Sequence, residues 1–378
     1  MAALLEGADP DLVVATWGGT ARGEMTRCSD LDLLCWNPGG QNLPDLPATR
    51  FAYLDLVTCS DDRSALATWA KANATDLHAV MFSRCLAGSR ERVAQFEEVR
   101  ASLWQDFTLR AREIFHLVAT SIRVASMYGQ TLYRPEKFSL GATRCWTVLA
   151  ECGQLFVGTQ NPSPTDATLL RMTYSGLASP QATPAFTHAM KLRRMCEDGE
   201  ARFADLDHEY KMLADQYLGE AARLLLAITP WIQRHAPLSS KTLDRLSTEL
   251  LRVPSTANPD VIQPKNETEA MMSAFLAADA EELESLLQPG ASWWVRHAAI
   301  LNPASTPTVL HSIIDDIVHG QTWWPDRNLI LYAIRHPAAD KGLLDRLRAL
   351  EHRLRPMDIE ALTRRFTDFD TRQAKEPS

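Results

Sequence analysis

Two carboxylates, Asp30 and Asp32, flank Leu31 at the head of an apolar run that continues Leu33-Leu34-Cys35-Trp36, and the pair Gly18-Gly19 lies a short way upstream. Along a strand, side chains alternate between faces, so Asp30 and Asp32 share one face. Like charges held that close repel unless a cation sits between them. Mg²⁺ (or Mn²⁺) takes carboxylate oxygens together with substrate phosphates, so the pair reads as a metal clamp. Gly18 and Gly19 let phosphate oxygens approach backbone N–H groups, and Thr20 belongs to the same cradle. Arg22 has two readings: it pairs with phosphates or it braces Glu24. Ser29 caps or orients Asp30, or meets phosphate itself. Asp55 interrupts the apolar run FAYLDLVT, where an unpaired carboxylate is costly and a shared metal offsets the cost. An aspartate at an exposed strand end is the plainer alternative, and Asp61 and Asp62 are weaker rivals.

These residues need a small sheet to hold them. VVATW (13–17), LDLLCW (31–36) and FAYLDLVT (51–58) read as strands, and their short connections predict one sheet. Residues 62–94 read as helical. From residue 96, Phe96, Val99, Leu103, Phe107, Ala111, Ile114, Leu117 and Val118 recur at helical spacing. Further helices are expected over 141–157 and 205–235, with NPSPTD (161–166) as a turn carrying an N-cap signal. The stretch 253–268 is rich in Pro, Asn, Ser and Thr and reads as a linker. Beyond it, segments beginning at Trp293 and Trp323 form a weak repeat, each with Trp-Trp, an apolar helix, an Asn-Pro or His-Pro break and a second helix. This resembles variant leucine-rich or HEAT-like helical repeats. The fold expected is α+β: a small mixed sheet over 1–95, a helical bundle over 96–252 and α-helical repeats over 266–370.

The run GGTARGEMTRCSDLDLL resembles the GGxGRGELxxxSDxDLL signature of the polymerase-β-like nucleotidyltransferases, and within them the bacterial PII-uridylyltransferase-like family. Gly18, Gly19, Arg22, Gly23, Glu24, Ser29, Asp30, Asp32, Leu33 and Leu34 fall on the pattern, while Ala21 replaces a glycine. ATDLHAVMFSRCLAGS (74–89) is similar to the segment closing that domain, with Phe82 in place of an acid. RPEKFSLGATRCW (134–146) is similar to PDxKxGPGGLRD through Pro135, Lys137, Gly141 and Arg144, with Ala142 and Cys145 as departures. The likeness covers about residues 12–150, and loosely the bundle to about 250.

The resemblance implies a nucleotidyltransferase that moves NMP from an NTP (UTP or ATP) to a hydroxyl. Asp30, Asp32 and Asp55 would ligate two metals, and Lys137 and Arg144 would reach the triphosphate. It favours a protein acceptor docked on the helical regions. Other readings are a small-molecule (antibiotic-type) acceptor, an RNA end, or a non-catalytic nucleotide-sensing module. No His-Asp dipeptide occurs, so the metal-dependent phosphohydrolase domain of the larger relatives is not expected.

Composition narrows the classes. The 378 residues are 46% hydrophobic and 23% charged, as in ordinary globular chains, with a net charge of −8 that disfavours a nucleic-acid partner. No apolar run approaches the roughly 18–20 residues of a membrane span. The N-terminal residues lack a basic leader. Seven cysteines without a CxxC pair fit reduced thiols and a cytoplasmic setting.

Overall fold

The computed structural model describes residues 12–26, 29, 31–38, 54–59, 63–128, 135–235, 237–239, 242, 245, 266–288, 290–319, 327–351, 354 and 356–373. Among them the architecture is α+β, mostly helical with one small sheet. The chain divides into two compact units, 1–118 with 134–237, and 119–133 with 238–378. The expected segments 1–95 and 96–252 fall in the first unit apart from 119–133 and 238–252. The expected repeat segment, 266–370, falls in the second.

In the first unit, β1 (Val13–Thr16), β2 (Leu31–Trp36), β3 (Leu54–Cys59) and β4 (Arg84–Ala87) form a sheet of order β3-β2-β1-β4. β1 runs antiparallel to β2 and β4, and β2 runs parallel to β3, so the sheet is mixed. β4 is an addition to the three strands expected, because four residues between two helices carry too little alternation to be read from sequence. One sheet face packs Leu12, Val14, Leu31, Leu33 and Cys35 together. Trp36 meets Phe96 at 6.1 Å between ring centroids.

Between β1 and β2 lies the five-residue helix α1 (Gly18–Arg22), closed by Gly23 in the left-handed region. After β3 come α2 (Arg63–Lys71) and α3 (Ala74–Met81), the latter capped by Asn73. The helical pattern expected to run on from residue 96 is broken in two: α4 (Arg90–Gln105) stops at Asp106, and α5 (Phe107–Tyr128) begins after it. The Asp106 carboxylate accepts from Leu109 N at 3.0 Å, so one residue ends the first helix and caps the next. Then follow α6 (Pro135–Phe138), α7 (Thr143–Val157), α8 (Thr165–Tyr174), α9 (Ala182–Glu197) and α10 (Asp207–His235). α7 packs on α6, α8, α9 and α10.

The second unit holds α11 (Glu267–Leu276), α12 (Ala280–Leu286), α13 (Trp293–Ile300), α14 (Pro307–His319), α15 (Arg327–Arg335), α16 (Lys341–Ala349) and α17 (Pro356–Gln373). Its hairpins are fastened through their breaks. Asn302 Nδ2 donates to the carbonyls of Ala274 (2.9 Å) and Ala277 (3.0 Å). His336 Nε2 donates to the Asn302 carbonyl at 3.2 Å, and Arg365 donates to the His336 carbonyl at 3.1 Å. Asn302-Pro303 and His336-Pro337 are therefore matching breaks, and the matching helices begin at Trp293 and Arg327. The Trp-Trp alignment is offset from this register, and Trp323 itself lies outside the described residues. Most of the linker expected at 253–268 does too.

Candidate functional site

Thr16 and Trp17 end β1 by gripping the neighbouring strand. Thr16 Oγ1 donates to the Asp32 carbonyl at 2.9 Å, and Trp17 N donates to the same oxygen at 3.3 Å. The chain then turns through Gly18, whose φ of 60° is a conformation that L side chains rarely adopt. A Cβ on Gly18 would lie 3.2 Å from Asp32 Cγ and closer still to its Oδ2. The glycine turn and the Asp32 carboxylate are thus in direct apposition. In the parallel pair β2·β3, Asp32 stands beside Asp55, which places both positions on one sheet face. Asp30 and the side chain of Asp55 lie outside the described residues. Among the described residues, no group of three or more His, Cys, Asp or Glu side chains could hold a metal ion. Thr20 Oγ1, in the turn, is buried and has no hydrogen-bond partner there.

Of the two readings of Arg22, bracing is the one whose contacts are present. Its Nε donates to Glu24 Oε2 at 2.8 Å and its Nη1 to Glu151 Oε1 at 2.7 Å, with the side chain only 8% exposed. The second Glu24 oxygen accepts from the backbone N of Thr165, at the start of α8. Glu151, in mid-α7, is the hub: His78 Nε2 of α3 stands 3.4 Å from it and Arg144 Nη1 3.8 Å. His78 Nδ1 lies 3.7 Å from Glu113 of α5.

Burial pushes the Glu151 carboxyl up, but His78, Arg144 and Arg22 outweigh it and hold the group well below the usual carboxylate range. Burial pulls the His78 imidazole down, and Glu151 and Glu113 outweigh that too, so its pKa is raised. Glu113 is raised chiefly by burial.

Ser29 is held in a second cluster. Its Oγ accepts from Thr26 N at 2.8 Å and from Arg193 Nη2 of α9 at 3.3 Å, and lies 3.0 Å from Thr26 Oγ1. Arg193 Nη2 also donates to Thr26 Oγ1 (2.8 Å), and Arg193 Nε donates to Glu197 (2.8 Å).

The other expected cations are Arg144, which belongs to the Glu151 cluster, and Lys137. Arg144, in the first turn of α7 and a third exposed, approaches the Glu151 oxygen that Arg22 does not take. Lys137 in α6 has its ammonium 5.0 Å from the centre of the Phe138 ring. A cavity of about 430 Å³ lies at Arg84, Cys85, Glu97 and Arg100. There the Arg100 guanidinium is taken up by Glu97 and by the carbonyls of Ser83 and Gln160.

Sequence reading passed over Glu113, Glu151, Arg193 and Glu197. The available signal was a charge inside an apolar helical run, as in TVLAECGQLF around Glu151, the same signal that picked out Asp55. No helix among the described residues is long and apolar enough to cross a membrane. No protein-family model, curated protein or solved structure matches the chain.

Proposed function

We propose that the protein is a metal-dependent nucleotidyltransferase that moves NMP from UTP or ATP to a hydroxyl, with a protein as acceptor. The observation that carries the reading is the apposition of the Gly18 turn to the Asp32 carboxylate, with Asp55 at the adjoining register position. A phosphate cradle and hard oxygen donors side by side are what a Mg²⁺–triphosphate needs.

The donor set fits Mg²⁺ or Mn²⁺: Asp30, Asp32 and Asp55 would hold the ions. Bound there, the metal supplies charge neutralisation for the triphosphate and a lowered pKa for the attacking hydroxyl. The protein's own share is positional. Gly18 and Gly19 leave the backbone open to phosphate oxygens, and Thr20 Oγ1 offers a buried hydroxyl to one of them. Lys137 and Arg144 are the cations the family resemblance assigns to the phosphates; Arg22 is engaged by two carboxylates, and Arg144 stands 3.8 Å from Glu151. The helical part after β4, including the second unit, is read as the nucleotidyltransferase bundle and repeats that dock the acceptor.

The test is incubation of the full chain with each labelled NTP, Mg²⁺ or Mn²⁺ and host lysate. Mass spectrometry then looks for added NMP. Transfer that disappears in Asp30→Ala and Asp32→Ala supports the reading. Metal-dependent nucleotide binding without any transfer would instead favour the sensor.

A further inference from the structure

We infer that Arg193 is a positioning residue for the nucleotide site: from α9 it ties Thr26 and Ser29 together, and Ser29 is the residue before Asp30. The inference rests on the nucleotidyl-transfer reading and deepens it by assigning part of the site's geometry to a helix far along the chain.

Four observations carry it. First, Thr26 and Ser29 hold each other: Thr26 N donates to Ser29 Oγ at 2.8 Å, and Ser29 N donates to the Thr26 carbonyl at 3.0 Å. Second, one guanidinium nitrogen, Arg193 Nη2, reaches both hydroxyls, Thr26 Oγ1 at 2.8 Å and Ser29 Oγ at 3.3 Å. Third, Glu197 orients that guanidinium through Nε and also accepts from Thr26 Oγ1 at 3.0 Å. Fourth, Arg193 and Glu197 are both almost fully buried, with side chains 7% and 4% exposed.

A buried ion pair is a poor device for stability alone, because desolvation consumes most of its attraction. This one holds Glu197 through Nε and two hydroxyls through Nη2, a division along one planar group that the single nitrogen of a lysine cannot copy. Ser29 has thereby used its oxygen on Thr26 and Arg193, and meets phosphate only if these bonds open. The residues that hold ligand side chains in place typically alter metal affinity about 10- to 100-fold when removed. Arg193 acts one step further out than such partners: it holds Ser29, the residue before a proposed ligand.

The experiment compares the full-length chain with Arg193→Gln, Arg193→Lys, Thr26→Val and Thr26→Ser. Amide exchange over 24–29 reads the hold on Thr26 and Ser29, and Mn²⁺ titration by electron paramagnetic resonance, with ATP or UTP present, reads the site. We expect Arg193→Gln and Thr26→Val to speed exchange at Thr26 and Ser29 and to weaken Mn²⁺ binding about 10- to 100-fold. Arg193→Lys should fail to restore either, whereas Thr26→Ser, which keeps the hydroxyl, should restore both. Thr26→Val leaves the Arg193–Glu197 pair intact and so covers the case in which Arg193→Gln does not fold. Unchanged exchange in Thr26→Val would overturn the lock. Faster exchange with unaltered Mn²⁺ binding would overturn the positioning role and leave the nucleotidyl-transfer reading standing. Absence of metal-dependent nucleotide binding in the unaltered protein would overturn that reading and, with it, this extension of it.

Discussion

Gly18 and Asp32 constrain each other closely at the scale of single residues. Gly18→Ala adds a Cβ where the Asp32 carboxylate sits and forces a side chain into a left-handed backbone, itself worth about 1–2 kcal/mol. We expect loss of nucleotide binding from Gly18→Ala with a modest fall in thermal midpoint, read by fluorescent-nucleotide titration and calorimetry. Asp32→Ala removes a partly exposed carboxylate and no core volume. It should abolish transfer while leaving the circular dichroism spectrum and the midpoint near those of the parent. Glu151 behaves in the opposite way. Removing it leaves Arg22 buried beside a single carboxylate and His78 without its nearest anion. Glu151→Ala should therefore cost about 3–5 kcal/mol in denaturant unfolding, far beyond an average surface change.

α3 carries an unusual load for eight residues, since two of its buried groups titrate away from their ordinary values. Burial pushes the Asp76 carboxyl up to about 7, against the pull of its hydrogen bond from Asn73. The folded state then holds a proton that the unfolded chain releases near 3.8, so this term loses stability as pH rises from 3.8 to about 7. His78, raised by Glu151 and Glu113 against its burial, acts in the same direction at higher pH. Its contribution is complete below 6.5 and fades as pH climbs through the raised folded value. Glu151 has the reverse sign, stabilising above 4.5 and failing only in acid. Thermal midpoints measured across this range should fall with rising pH. Asp76→Asn should flatten the decline below neutrality, and His78→Gln the decline above it. A parent protein whose midpoint rises from pH 5 to 8 would contradict both assignments.

Elements of this kind also mark where sequence reading stops. The first three strands, the helix ending at Val157 and the long helix ending at His235 were legible, because their apolar periodicity is local. The nearness of the glycine turn to Asp32 was legible because the spacing is short. The distant partners of Arg22 and Ser29 were not, since Glu151 and Arg193 stand 129 and 164 residues away and look like ordinary helix charges. β4 was lost to its brevity. The break at Asp106 was lost because apolar residues keep their helical spacing across it.

For the whole molecule, the division into two units does not follow the expected linker. The end of α5 belongs with the second unit: Ile122 and Val124 are buried, and Arg123 donates to the Phe275 carbonyl at the end of α11 at 2.9 Å. Cutting the chain at residue 266 therefore strips the last turns of α5 of their cover. We expect the fragment 1–265 to show rapid amide exchange over 119–128 and a tendency to associate, whereas exchange in β1 and β2 stays slow. A fragment that remains monomeric with α5 protected throughout would mean that the second unit is freely separable.

The straps on the segment 22–29 have a consequence in time. They come from Glu151, Thr165, Arg193 and Glu197, and the longest joins residues 171 positions apart. At about 5–20 residues per second of synthesis, a span of that length takes roughly 10–35 s to emerge. Until that interval ends, a nascent chain carries the glycine turn and the aspartate pair without the full set of these distant contacts. A chain stopped before residue 193 would look complete by its signature while lacking the Arg193 lock, so the site is among the last parts of its unit to be assembled although its letters are among the first to be written.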